Sequence, residues 1–140
     1  MGHVIYEWIY VAVVVSLLIW VGAEAWYGEK LLHEVPKDHI TIKVTGQQWL
    51  WTFEHPDGKR EVGQLTVQPG KVYKFEITSK DVVHAFNIPD LAVMIDAVPG
   101  RINTIWVKIP ENASGEYLIQ CREYCGLLHY NMRAKLLVEA

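Results

Sequence analysis

The hydrophobic rhythm of the chain changes near residue 28. From Trp8 to Ala23, sixteen consecutive residues carry no charge, and the apolar stretch around them, Val4 to Tyr27, is 24 residues long. As a helix rising about 1.5 Å per residue it reaches about 36 Å, enough to cross a hydrocarbon core of ~30 Å. Tyr6, Trp8 and Tyr10 lie near one end and Trp20, Trp26 and Tyr27 near the other, as interfacial aromatic belts do. A cleaved signal peptide would put basic residues ahead of the apolar run, and all 13 Lys and Arg lie from Lys30 onward. Residues 1–27 therefore read as a transmembrane helix. Lys30 and Lys37, the nearest basic residues, follow the helix and weakly favour a cytoplasmic C-terminal side, so the positive-inside rule does not settle its orientation.

Residues 28–39, GEKLLHEVPKDH, are polar with one Pro and read as a linker. From Ile40 the period becomes two. Ile40, Ile42 and Val44 alternate with polar neighbours, and Tyr73, Phe75 and Ile77 alternate with Val72, Lys74 and Glu76. Short runs such as HITIKVTG, QLTVQP, KVYKFEITS and GEYLIQC are separated by turn residues such as Pro56-Asp57-Gly58. The pattern predicts seven or so half-buried antiparallel strands over residues 40–140, folded as an all-β sandwich or Greek-key barrel.

Charge narrows the function classes. Residues 28–140 hold 13 basic and 14 acidic side chains, a net of −1, so no basic face for nucleic acid is expected. Two cysteines are too few for a disulfide-dense scaffold, and 51% apolar content is incompatible with disorder. Glu7 sits about one turn inside the apolar stretch. A carboxylate there reaches headgroup water at the interface or takes part in an ion or proton path.

The chemistry gathers near the C-terminus. In CREYCGLLHYNM, Cys121, Cys125, His129 and Met132 recur at offsets 0, 4, 8 and 11, dense enough to wrap one site from a single loop. Thiolates, thioether and imidazole together favour copper over hard cations or structural zinc. The competing reading is a Cys121–Cys125 disulfide, the default for two cysteines in an exported domain. It leaves His129 and Met132 without a role, along with His84 at the end of EITSKDVVHAF. A mononuclear blue-copper site needs one Cys, and the second thiolate suits a pair of bridged coppers transferring single electrons. His3, His33, His39 and His55 have no matching role and read as ordinary polar or surface residues.

These motifs resemble subunit II of the haem-copper cytochrome c oxidases, which carries a binuclear CuA centre. CREYCGLLHYNM matches its C-x-E-x-C-x3-H-x2-M pattern, DVVHAFNIPDLAVMIDAVPGRIN its His-bearing segment and D-A-V-P-G-R turn, and GQQWLWTFE its aromatic segment. The resemblance implies a cupredoxin-like fold. It also implies two copper ions (CuA) held by His84, Cys121, Cys125, His129, Met132 and the backbone carbonyl of Glu123. Trp49 aligns with the residue through which electrons enter. The two-helix members add a magnesium at the Glu123 side chain, near Asp96 and Arg101, where subunit I packs. With one helix, the chain looks like the short B-type oxidases, in which the counterpart of Glu7 lies at a proton-pathway mouth.

The implied partners are subunit I, membrane lipid and a soluble donor such as cytochrome c or a blue copper protein. Met94 replaces a Lys common in the family, and Lys59 and Arg60 interrupt a segment that is richly acidic in members binding basic cytochrome c. The implied location is the cell membrane, single-pass, with the copper domain on the extracytoplasmic side. A CuA-containing electron-input subunit of a nitric oxide reductase shares the ligand loop, and a membrane-anchored sandwich with a Cys121–Cys125 disulfide is the non-redox alternative.

Overall fold

The structure, a computed structural model, describes residues 2–139. They divide into two compact units, with the boundary in the chain between Val35 and Pro36.

The first unit is one helix, α1 (Gly2–His33), of 32 residues. Its length is about 48 Å at 1.5 Å per residue. None of its residues is buried and its apolar side chains run all the way round, the signature of a helix whose surroundings are lipid. Residues 28–33, assigned to a linker from the sequence, continue the helix. Glu29, Lys30, Leu31 and Leu32 are helix formers, and two i,i+4 pairs support them, Glu29 with His33 at 3.7 Å and Lys30 with Glu34 at 3.6 Å. Pro36 lies just beyond the end, where a following proline disfavours further helical turns.

The second unit is a sandwich of two five-stranded sheets. In chain order the strands are β1 (Ile40–Gln47), β2 (Leu50–Glu54), β3 (Arg60–Val62), β4 (Gln64–Val67), β5 (Val72–Ser79), β6 (His84–Ile88), β7 (Val93–Ala97), β8 (Asn103–Lys108), β9 (Gly115–Cys121) and β10 (Arg133–Val138). One sheet runs β3-β2-β1-β5-β8 and the other β4-β10-β9-β6-β7. The chain crosses repeatedly between them, so β5 lies parallel to β1 and β4 parallel to β10. The expectation of purely antiparallel pairing fails at these two places, because alternation reports which face is buried and carries no strand direction. The strand count also exceeds the expected seven. β3 has three residues, and β6 is buried at every position, so neither shows an alternation to read.

Trp51, Phe53, Phe75 and Phe86 are fully buried between the sheets. Phe86 touches the other three, with ring centroids 5.2, 6.2 and 5.5 Å from Trp51, Phe53 and Phe75. Because Phe86 and His84 share β6, this packing fixes the strand that carries a candidate ligand. Of the histidines without a ligand role, His55 is a partly buried polar residue. It is only 16% exposed and its Nε2 lies 2.7 Å from Glu61, itself 5% exposed. Glu61 also accepts from the Thr66 amide and hydroxyl, both at 2.8 Å, tying β3 to β4 across the two sheets.

Candidate metal centre

The predicted ligands come from two neighbouring strands and the loop after one of them. His84 opens β6 and is fully buried, and Cys121 ends β9, whose partner across the ladder is Phe86. Backbone bonds then close the ligand loop on itself. The Cys121 amide donates to the Met132 carbonyl at 3.1 Å, the Arg122 amide to Ala85 at 3.0 Å, and the His129 amide to Gly126 at 3.2 Å. A short 3-10 turn, His129–Asn131, delivers His129 and leaves Met132 buried at its end.

All six predicted donors converge. The two sulfurs lie 3.7 Å apart and form no disulfide. On the Cys121 side, His84 Nδ1 is at 3.9 Å and the Glu123 carbonyl oxygen at 3.2 Å. On the Cys125 side, His129 Nδ1 is at 3.4 Å and Met132 Sδ at 3.7 Å. His84, Cys121 and Cys125 place their ligand atoms within 4.8 Å of one another. Two central sulfurs with an imidazole nitrogen on each flank make a soft, largely dry cradle, which fits copper. Burial pushes the Cys125 thiol up to about 12, with the neighbouring Cys121 and the Asp81 charge adding to the shift. A cation must therefore be present for both sulfurs to be thiolates at neutral pH.

One supporting residue escaped the sequence reading. Asp81 Oδ1 lies 2.9 Å from His84 Nε2, and its carboxylate accepts from the amides of Gln48 at 2.7 Å and Val82 at 2.6 Å. Burial would raise its pKa, but the Gln48 amide, His84 and the Val82 amide outweigh it and hold Asp81 at about 2. An ionised Asp81 keeps the Nε2 proton on His84 and leaves Nδ1 free to face the sulfurs. The available signal was an acid three residues ahead of the histidine in DVVH.

The aromatic segment lies against the same loop, and its two tryptophans have different surroundings. Trp51 is core, edge-on to His84 at 6.0 Å, and so close to Gly46 that a Cβ there would lie 2.9 Å from its ring. Trp49 is half-buried and abuts the loop: a Cβ on Gly126 would lie 3.2 Å from its Nε1. Gly126 also has φ +125, so no other residue fits there without strain. Tyr124, Leu127 and Tyr130 project from the loop into solvent. Glu123, Asp96 and Arg101 are all exposed, and Glu7 is exposed on α1, in the other unit.

The fold and the site define a class, a cupredoxin-like domain with a sulfur-rich cradle for copper, in a chain that also carries a membrane-spanning helix. Residues 59–139 match the model of the family "Cytochrome C oxidase subunit II, periplasmic domain". The chain belongs to that family: it is a cytochrome c oxidase subunit II. It is 35% identical over 129 residues to the heme-copper oxidase subunit 2 of Aeropyrum pernix, covering 90% of this chain and 54% of the relative. Among solved structures, the periplasmic domain of subunit II of the cytochrome oxidase of Bradyrhizobium japonicum superposes with a TM-score of 0.70 at 34% identity, covering 76% of this chain and 88% of that one. Another is a mixed disulfide intermediate between the thioredoxin-like TlpAs and a subunit II of cytochrome c oxidase, at 33% identity and a TM-score of 0.65, covering 76% and 86%. The chain spans about half the length of the curated relatives it matches.

Proposed function

We propose that this chain is the electron-input subunit of a haem-copper terminal oxidase. Its domain from residue 36 onward holds a binuclear copper centre through His84, Cys121, Cys125, His129, Met132 and the Glu123 carbonyl. The observation that carries the reading is the convergence of these six donors around two free sulfurs 3.7 Å apart. When bound, the copper pair supplies one-electron transfer. The protein's contribution is rigidity. β6 and β9 fix His84 and Cys121 through the sheet ladder, and the loop's backbone bonds fix the rest, so little has to move when the charge changes. Electrons arrive at Trp49 from a soluble donor, cytochrome c or a small copper protein, and leave to the haems of subunit I, which reduces oxygen to water and translocates protons. The exposed Glu123 side chain is the place for a magnesium ion at the subunit I contact. The helix anchors the chain in the cell membrane with the copper domain outside.

Both thiols must be reduced before metal binds, and the mixed disulfide captured for a relative suggests a thioredoxin-like partner for that step here too. Metal analysis and electron paramagnetic resonance of the purified chain test the central reading. Two coppers and a signal split by two equivalent nuclei are expected, whereas one copper with a blue mononuclear spectrum overturns it.

Trp49→Phe keeps an aromatic ring in the turn between β1 and β2 but removes the indole. Donor oxidation should slow by about tenfold, ~1.4 kcal/mol of activation, while thermal stability and copper content hold. Equal turnover with lower stability would reduce Trp49 to packing in the turn between β1 and β2. Glu7→Gln removes a titratable proton while keeping size. In the assembled oxidase, oxygen reduction should fall with copper content normal, and Glu7→Asp should fall less. An unchanged rate across pH assigns Glu7 to the lipid interface alone.

A further inference from the structure

Gln48 grips both halves of the copper cradle, one through its backbone and the other through its side chain. Its backbone amide donates to Asp81 at 2.7 Å, and Asp81 holds His84. Its side-chain amide donates to the carbonyl of Cys125 at 2.8 Å, a contact joining residues 77 apart in sequence. The same amide would sit 2.8 Å from a Cβ on Gly126, and the next residue, Trp49, 3.2 Å from it. Gln48 and Trp49 therefore lie side by side on the Cys125–Gly126 peptide, where only a glycine leaves room for them.

We propose that Gln48 is a positioning residue that clamps the Cys125–Gly126 peptide against Trp49, so that electrons pass from Trp49 into the copper centre through Cys125. The inference rests on the function proposed above and deepens it by naming the side of the centre at which electrons arrive. The donor would lose one electron and be oxidised, and the bound metal centre would accept it; no bond is made and no proton moves. Contact with Trp49 lies on the Cys125 peptide, whereas His84 is approached by Trp51, which is sealed in the core. A hydrogen bond shortens the gap between atoms that would otherwise meet only at van der Waals distance. Losing it frees the glycine-hinged peptide to move away from the indole.

The test uses the full chain in detergent, loaded with copper, with Gln48→Met as the main variant and Gln48→Leu and Gln48→Asn beside it. All three keep the backbone amide on Asp81 and lose or shorten only the side-chain clamp. Copper content and the visible spectrum should match the parent. First-order reduction by saturating reduced cytochrome c should slow by about tenfold, the size of effect contacting residues show, while reduction by dithionite, which needs no fixed point of arrival, should not change. Adding Trp49→Phe to Gln48→Met should slow the reaction little further, since both act on one route. In the copper-free parent, the Gln48 side-chain amide protons should exchange slowly in nuclear magnetic resonance.

Four results would overturn the inference: an unchanged rate with cytochrome c, equal slowing with both reductants, independent effects of the two substitutions, or loss of copper in all three variants. The last would make Gln48 part of the site's construction instead of its wiring. A parent chain that takes up no copper would instead sink the proposed function, and is distinguished by metal analysis before any variant is made.

Discussion

Cys125→Ser should bind copper at least ~100-fold more weakly than the parent, beyond what the loss of a supporting hydrogen bond costs a metal site. It should also lose the signal of a delocalised pair. The cause lies in the position of this sulfur. Cys125 is buried, 3.7 Å from Cys121, 3.4 Å from His129 Nδ1 and 3.7 Å from Met132 Sδ, so every donor on its side of the cradle is referred to it. A hydroxyl in that place ionises far less readily than a thiol and would not supply the soft anionic sulfur that the copper pair would need. Met132→Leu should behave otherwise. The thioether is neutral and sits at the edge of the set, so copper should stay and only the reduction potential should move. Copper titration of both variants followed by spectroscopy separates the two roles, and a Cys125→Ser protein with two coppers and the parent spectrum would remove the bridge.

The ligand set was legible because chemistry and spacing coincide in one loop. Cys121, Cys125, His129 and Met132 fall within twelve residues, and Glu123 lies inside the same span. The loop's backbone bonds bring them together with His84 at the distances given above. Trp49 and Gln48 were harder to separate from a strand pattern. Alternation places Gln47 and Trp49 on one face and Gln48 and Leu50 on the other, but β1 ends at Gln47 and β2 begins at Leu50, so Gln48 and Trp49 form the turn between them, and the loop contact they make joins residues 77 apart and leaves no local pattern. Asp81 was hidden for a related reason. Its importance lies in which atoms it touches, and a turn of the form SKDVVH looks like any polar connection. The helix end at His33 and the two parallel strand pairs were missed because composition reports burial and flexibility, while termination and strand direction depend on local pairs and on the path between sheets.

The buried pair His55 and Glu61 yields the largest stability effect expected outside the metal centre. Glu61 lies in β3 with its side chain 5% exposed and receives three groups, His55 Nε2 at 2.7 Å and the Thr66 amide and hydroxyl at 2.8 Å. Burial opposes its ionisation, but the Thr66 amide, the His55 ring and the Thr66 hydroxyl together outweigh it, so the pKa falls below the ordinary 4.5. A carboxyl whose folded pKa is lowered stabilises the native state fully above its unfolded value, and that contribution fades as pH falls through the folded value. The domain should therefore lose stability below about pH 4.5, and Glu61→Gln should flatten that part of the profile.

Glu61→Ala is harsher, since it leaves the His55 ring and the Thr66 amide and hydroxyl buried without their acceptor. Breaking a buried pair in this way costs about 3 kcal/mol, which for a domain of this size lowers Tm by about 15 °C. Copper binding at room temperature should survive in both variants, because His55 lies four residues beyond Trp51, about 13 Å along the strand at 3.3 Å per residue. Calorimetry of parent and variant at pH 7 and pH 3.5 checks the argument. Equal melting temperatures at pH 7 would mean that the cluster is solvated and contributes nothing, and a loss of copper in step with the loss of stability would mean that the two ends of the sandwich are coupled more tightly than their separation implies.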